Sequence, residues 1–227
     1  MEKPVRKPLL IVCGVLVLAV AAFLLFGRPG TPGDTSPEAG FARDMAAHHA
    51  QAVDMAFTIR DKGPAREIRN LAFDIINTQA NQRGMFLGWL QQWQLDVATD
   101  QRPMAWMSGH GHGGATTAPG TASPTGSPAA SPTAAGGGMP GMATPDELAR
   151  LREAQGAPAE ILFLQLMIRH HEGGVQMAEG LLKLSTRSEV AGMARKIVEG
   201  QSGEITLMTD LLHRRGAQPY PSILQPR

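Results

Sequence analysis

The sequence predicts an all-α protein: a four-helix bundle made from two helical hairpin repeats, preceded by a transmembrane helix. Three observations carry this reading. Apolar residues beyond position 36 recur three, four and seven apart, and no alternating run marks a strand. The stretch 41–90 reappears, without a gap, at 163–212. Residues 9–26 carry no charge.

The first element is that uncharged run, Leu9 to Phe26. At about 1.5 Å per residue it makes a helix of roughly 27 Å, enough for a bilayer core. Lys3, Arg6 and Lys7 precede it, which places residues 1–8 in the cytoplasm and the chain beyond the anchor outside the cell membrane. A cleaved signal peptide would show a shorter apolar run ending at a small-x-small site. This run ends Leu24-Leu25-Phe26, so an uncleaved single-pass anchor is expected, followed by a linker over 27–36.

The first hairpin is expected over 37–108. Ser36-Pro37-Glu38 is a helix start with proline in the first turn. Phe41, Met45, His48, Ala52, Met55 and Ile59 then share one face. Gly63-Pro64 ends that helix, and Ile68, Leu71, Ile75, Phe86 and Leu90 mark the inner face of the next. From 109 to 143 every residue is Gly, His, Ala, Thr, Pro, Ser or Met, a composition too poor in apolar surface to fold, and a flexible linker is expected. The second hairpin is expected over 144–216. Thr144-Pro145-Asp146-Glu147 is a capping box that starts a short helix, and Thr186-Arg187-Ser188-Glu189 is a second one. Between them runs a long helix through Phe163, Met167, His170, Met177 and Leu181. Residues 217–227 form a tail.

Sliding Phe41 onto Phe163 aligns the halves. Met45 meets Met167, His48-His49 meets His170-His171, and Met55 meets Met177; in the second helix of each half Gln79 meets Gln201. Each half is thus a hairpin built around M-x2-H-H-x5-M. A hairpin has one apolar face, so two of them pack together, with the long linker as a crossover loop.

On one helix Met45, His48 and Met55 fall on one stripe with His49 close by, and Met167, His170, Met177 and His171 repeat the arrangement. Thioether sulfur is a soft ligand that favours Cu(I), and imidazole accepts copper in either oxidation state. Outside the cytoplasm thiols oxidise, which leaves Met and His as the practical copper ligands. The twelve methionines include a second group in or beside the flexible linker, Met104, Met107, Met139 and Met142, with Trp106, His110 and His112; packing does not explain residues placed there, and the group supports a soft-metal reading. Methionine stripes also fill irregular cores, and a lone histidine is often a satisfied core residue. Paired histidines at matched repeat positions are costlier to bury without partners. Gln79, Gln82, Gln201 and Glu204 lie on the inner faces, where they either orient the histidines or line a wet cavity. Asp44 either holds His48 or is an exposed first-turn carboxylate. Gly173-Gly174 marks a close approach to a neighbour.

Composition excludes other classes. The net charge of +1 offers no basic field for a nucleic acid. One cysteine, Cys13, lies inside the apolar run, which excludes a disulfide framework and a thiolate metal site. No Glu-x-x-His pair is present for a di-metal oxidase, and no activated nucleophile is evident, so no enzymatic activity is expected.

The blocks FARDMAAHHAQAVDMA (41–56) and FLQLMIRHHEGGVQMAEG (163–180), with the lead-in MPGMATPDELARL (139–151), resemble the domain-of-unknown-function 305 family. The resemblance implies a ferritin-like four-helix bundle. Members of the periplasmic CopM type bind copper, which implies copper held by His48, His49, Met45, Met55, His170, His171, Met167 and Met177. The expected function is a membrane-anchored extracytoplasmic copper-binding protein, with a role in buffering, resistance or transfer to a donor or acceptor protein. The competing readings are a tethered helical module that binds a protein partner and, further off, a di-metal oxidase.

Overall fold

In the computed structural model residues 11–18, 30–108 and 138–224 are described. The expected anchor at 9–26 is described only over 11–18, and most of the expected linker at 109–143 lies outside the described residues. Residues 11–18 are helical and exposed, in a unit that ends at Pro32. Among the described residues no helix is long and apolar enough to cross a membrane. A second unit runs from Gly33 onward.

That unit contains helices α1 (Pro37–Asp61), α2 (Arg66–Gln92), α3 (Pro145–Glu153), α4 (Gly156–Leu184) and α5 (Ser188–His213), with a 3₁₀ turn at Ala105–Met107. Among the described residues there is no strand. Helix α1 starts where the sequence says it should: Ser36 Oγ accepts the Ala39 amide at 3.2 Å, and Pro37 needs no partner for the amide it lacks. Gly63, at φ +63°, makes the turn that ends it. Helix α3 carries the full capping box, with Glu147 N donating to Thr144 Oγ1 and Thr144 N donating to Glu147 Oε2.

The second expected capping box does not form. Helix α5 begins at Ser188, its N-cap is Arg187, and no side chain caps it. With Arg187 at the N-cap, Thr186 lies one residue outside the cap and Glu189 falls at the second helical position, so the expected Thr186–Glu189 pairing is out of register.

Helices α1 and α2 pack side by side as one hairpin, α4 and α5 as the other, and the hairpins meet through α1 and α4. Two apolar clusters result. One gathers Met55, Ile59, Ile68 and Leu71 from the first hairpin with Phe163, Met167 and Met208 from the second. The other gathers Phe41, Met45, Phe86 and Leu90 with Met177, Leu181, Val190 and Ile197. The start of α1 thus joins the end of α4 and the reverse, so these two helices run antiparallel. His48-His49 and His170-His171 fall between the clusters along both helices. Each fully buried large apolar side chain here contributes on the order of 1.5–3 kcal/mol, so the clusters fix the crossing that holds the histidines.

Polar links tie the hairpins together at one end. Glu160 of α4, 8% exposed, accepts the Ala65 amide at 2.7 Å and so caps α2, which has no cap of its own. The same carboxylate accepts from Arg215, whose guanidinium also reaches Glu67. Arg169 makes a two-toothed buried pair with Glu147, at 2.9 and 2.6 Å, which fastens α3 to α4.

Residues 138–143, expected to be flexible, form a strap across the middle of the unit. Ala143 exchanges two hydrogen bonds with the Gln51 amide, and Arg169 donates to the Met142 carbonyl. A Cβ at Gly173 would overlap the Pro140 carbonyl, so the helix backbone and the strap touch only because glycine is there. Gly200, in the interior of α5, has open space around it. Gly173→Ala should therefore cost about 1–3 kcal/mol by pushing backbone against backbone, while Gly200→Ala should add about 0.5–1 kcal/mol. Thermal melts of the two variants check the opposite signs; a stabilising Gly173→Ala would show that the strap does not sit on α4.

Candidate metal centre

The four histidines of the repeated blocks are all 0% exposed. His48 and His170 face each other across the hairpin contact, ring centroids 3.8 Å apart and planes tilted by 34°. Within each helix the neighbouring rings are 6.4 Å apart. The structure thus brings the two blocks together at one crossing.

Three of the rings are anchored through the same atom. His48 Nε2 is 3.1 Å from the Pro140 carbonyl, His49 Nε2 is 2.7 Å from Gln82 Oε1, and His171 Nε2 is 2.6 Å from Glu204 Oε2. A carbonyl, an amide oxygen and a carboxylate only accept, so each Nε2 carries the proton and donates. In a neutral ring held this way Nδ1 is a bare lone pair. The Nδ1 atoms of His48, His49 and His171 are buried without a partner, as are both ring nitrogens of His170. Gln79 and Gln201, the repeat-related pair one turn before Gln82 and Glu204, are likewise buried with both side-chain polar atoms unpaired. Unpaired buried polar atoms are rare because each costs about 1–3 kcal/mol. Concentrating them at one crossing is what a site for an electron-pair acceptor requires.

Electrostatics keep the lone pairs available. Burial drives the His48 imidazole down to about 3, with repulsion from His49 adding to it. Burial likewise lowers His49 to about 4, and His170 lies well below its ordinary value, with burial first and His48 second. These rings are neutral at physiological pH, the form that binds metal.

Met45, Met55, Met167 and Met177 are all 0% exposed, but they separate into two pairs: Met45 with Met177 in one cluster, Met55 with Met167 in the other. They flank the histidine crossing from both sides. Among the described residues no three His, Cys, Asp or Glu side chains are drawn together as a ligand cage. The donor types still fit a soft or borderline ion: neutral imidazole nitrogens, with thioethers in the cores on either side.

Two expectations change. Asp44 neither holds His48 nor stands exposed; its Oδ2 accepts the Met104 amide and the Trp106 indole N–H, each at 2.8 Å, and so pins the 3₁₀ turn. Met104, Met107 and Met139 do have a packing role, since they lie against the cluster that holds Met45 and Met177. His110 and His112 lie outside the described residues. The Pro140 carbonyl is the contact that sequence reasoning missed; a backbone acceptor in a Gly/Pro/Met stretch leaves no side-chain signal.

The unfolded chain protonates its histidines near the ordinary value of 6.5, well above the folded values of about 3 and about 4. As the pH falls the unfolded state therefore takes up protons first, and stability drops. The metal-free protein should keep its full stability above about pH 6.5 and lose up to roughly 1.4 kcal/mol per pH unit for each such histidine on the way down to about pH 4. Urea unfolding midpoints across that range check this; a flat profile would mean that the rings are solvated.

The family model "Domain of unknown function (DUF305)" matches residues 38–212. No curated protein matches the chain. Among solved structures, a DUF305 protein from Streptomyces coelicolor is 43% identical, with TM-score 0.68, covering 82% of this chain and 98% of that one. A DUF305 fragment from Deinococcus radiodurans is 31% identical, with TM-score 0.59, covering 82% and 99%. CopM in its Cu(II)-bound form is 26% identical, with TM-score 0.52, covering 79% and 97%. CopM in an Ag-bound form is 25% identical, with TM-score 0.52, covering 78% and 96%. With three quarters of its length matched by the family model and close agreement with two solved members, this chain belongs to the DUF305 family.

Proposed function

We propose that this chain is a membrane-anchored, extracytoplasmic copper-binding protein that buffers copper or passes it to a partner protein. Copper is its cargo, and no bond-making reaction is assigned to it. The ligands are His48, His49, His170 and His171, with Met45, Met55, Met167 and Met177 supplying thioether sulfur. The architecture that goes with this reading is a ferritin-like four-helix bundle behind the anchor at 9–26.

One observation carries it: three buried imidazoles tied down through Nε2, with no partner at Nδ1. Metal-binding histidines are ordinarily fixed this way, the far N–H donating to a carboxylate, amide or carbonyl so that the near nitrogen points its lone pair at the ion. A histidine that serves only packing gains nothing from an unpaired nitrogen. The donor set selects copper: thioether sulfur favours Cu(I), and imidazole binds both oxidation states. The likeness to CopM, solved with Cu(II) and with silver, supports a soft monovalent or borderline divalent ion. A di-metal oxidase would need carboxylates from facing helices. Among the described residues Glu204 is the one carboxylate hydrogen-bonded to these rings.

Anaerobic titration of the full chain in detergent micelles with Cu(I), against a chromophoric Cu(I) chelator, tests the reading. The parent should compete with the chelator. A variant with His48, His49, His170 and His171 changed to alanine should lose at least about a hundredfold in affinity, with circular dichroism as the folding control. Changing the four methionines to leucine, which conserves volume, should weaken Cu(I) without unfolding the chain. A parent that cannot compete, or a folded histidine variant that binds equally well, overturns the proposal.

A further inference from the structure

We propose that Glu204 makes the His171 half of the centre the stronger copper donor and the half that favours Cu(II), so that the two halves load unequally. The inference rests on the copper reading above. It comes from a place at the crossing where both repeat-related rings are anchored and the two anchors differ in charge.

His49 and His171 are repeat partners, and so are Gln82 and Glu204. Both rings are 0% exposed, and both donate Nε2–H to an oxygen on the neighbouring helix of their own hairpin. The distances nearly coincide: 2.7 Å for His49 to Gln82 and 2.6 Å for His171 to Glu204. Both Nδ1 atoms are unpaired. The geometry is the same twice, and the chemistry differs: one anchor is a neutral amide and the other a carboxylate.

A carboxylate that accepts from Nε2–H draws the proton toward itself and leaves more electron density on the ring, so Nδ1 becomes a better donor. It also sets a negative charge across the ring from the ion. His171 is fully withdrawn from water and the Glu204 side chain is 23% exposed, so solvent screens that charge only in part. A divalent ion is attracted twice as strongly as a monovalent one by the same charge. The carboxylate therefore favours copper in general at this half and Cu(II) in particular, while the His49 half, anchored by an amide, keeps a relative preference for Cu(I). Glu204 acts through His171 and is a positioning residue.

The repeat supplies its own controls. Glu204→Gln recreates the pair that already folds in the other half, and Gln82→Glu installs the carboxylate there. The experiment measures Cu(I) and Cu(II) affinities of the full chain separately, by competition with chelators selective for each, together with the copper reduction potential. Glu204→Gln should weaken Cu(II) by about 10–100-fold and Cu(I) by less, raising the potential by about 59 mV for every tenfold difference between the two. Gln82→Glu should shift the potential the opposite way. Equal weakening of both oxidation states by Glu204→Gln, or no change in a parent that binds copper, overturns the inference and leaves the copper reading standing. A parent that binds copper in neither state defeats the copper reading itself.

Discussion

Burying imidazole rings in an apolar interior is expensive unless each ring is held, neutral and oriented, and the helical unit from Gly33 onward is arranged around that requirement. His48 and His170 stack at 3.8 Å where α1 crosses α4. His49 and His171 stand one step round each helix, each tied to the second helix of its own hairpin. The two apolar clusters lie on either side and fix the crossing. Gly173 is there because the strap must come close enough for Pro140 to accept from His48. Packing, capping and strap together hold the anchored rings through Nε2 and leave Nδ1 without a partner.

The arrangement has a cost that the rest of the unit offsets. Burial holds several rings far below their ordinary basicity, and four glutamine side-chain atoms share the same interior unpaired. Against this stand the two apolar clusters, the buried Arg169–Glu147 pair and the Glu160 carboxylate that caps α2 from the opposite hairpin. Stability given up at a core is commonly a sign of function, and here the loss is concentrated at the residues the repeat duplicates most faithfully.

Much of this was legible in the residues themselves, because the signals were local. Ser36-Pro37 and Thr144 to Glu147 announce helix starts by chemistry that acts over three residues. The doubled M-x2-H-H-x5-M blocks mark two helices with one shared face, and the glycine pair at 173–174 marks a close approach. What the sequence hid was tertiary. Asp44 read as either a partner for His48 one turn away or an exposed first-turn carboxylate, but its partners Met104 and Trp106 arrive from a turn some sixty residues later along the chain. Met104, Met107 and Met139 sit in compositionally poor stretches, and only the folded unit shows the cluster they cover. The split of the four core methionines into two pairs follows from the antiparallel run of α1 and α4, which no local pattern encodes. Gln82 and Glu204 stood among four inner-face candidates; geometry separated them from Gln79 and Gln201.

The most direct test of this account is the tautomeric state of the rings in the metal-free chain, read from nitrogen-15 shifts and long-range proton couplings of the imidazoles by nuclear magnetic resonance at neutral pH. The account predicts that His48 and His49 are neutral and protonated at Nε2, with Nδ1 shifts of an unprotonated, unbonded nitrogen. Rings protonated at Nδ1, or averaged between tautomers, would contradict it, because the lone pairs would then not be held ready for an ion.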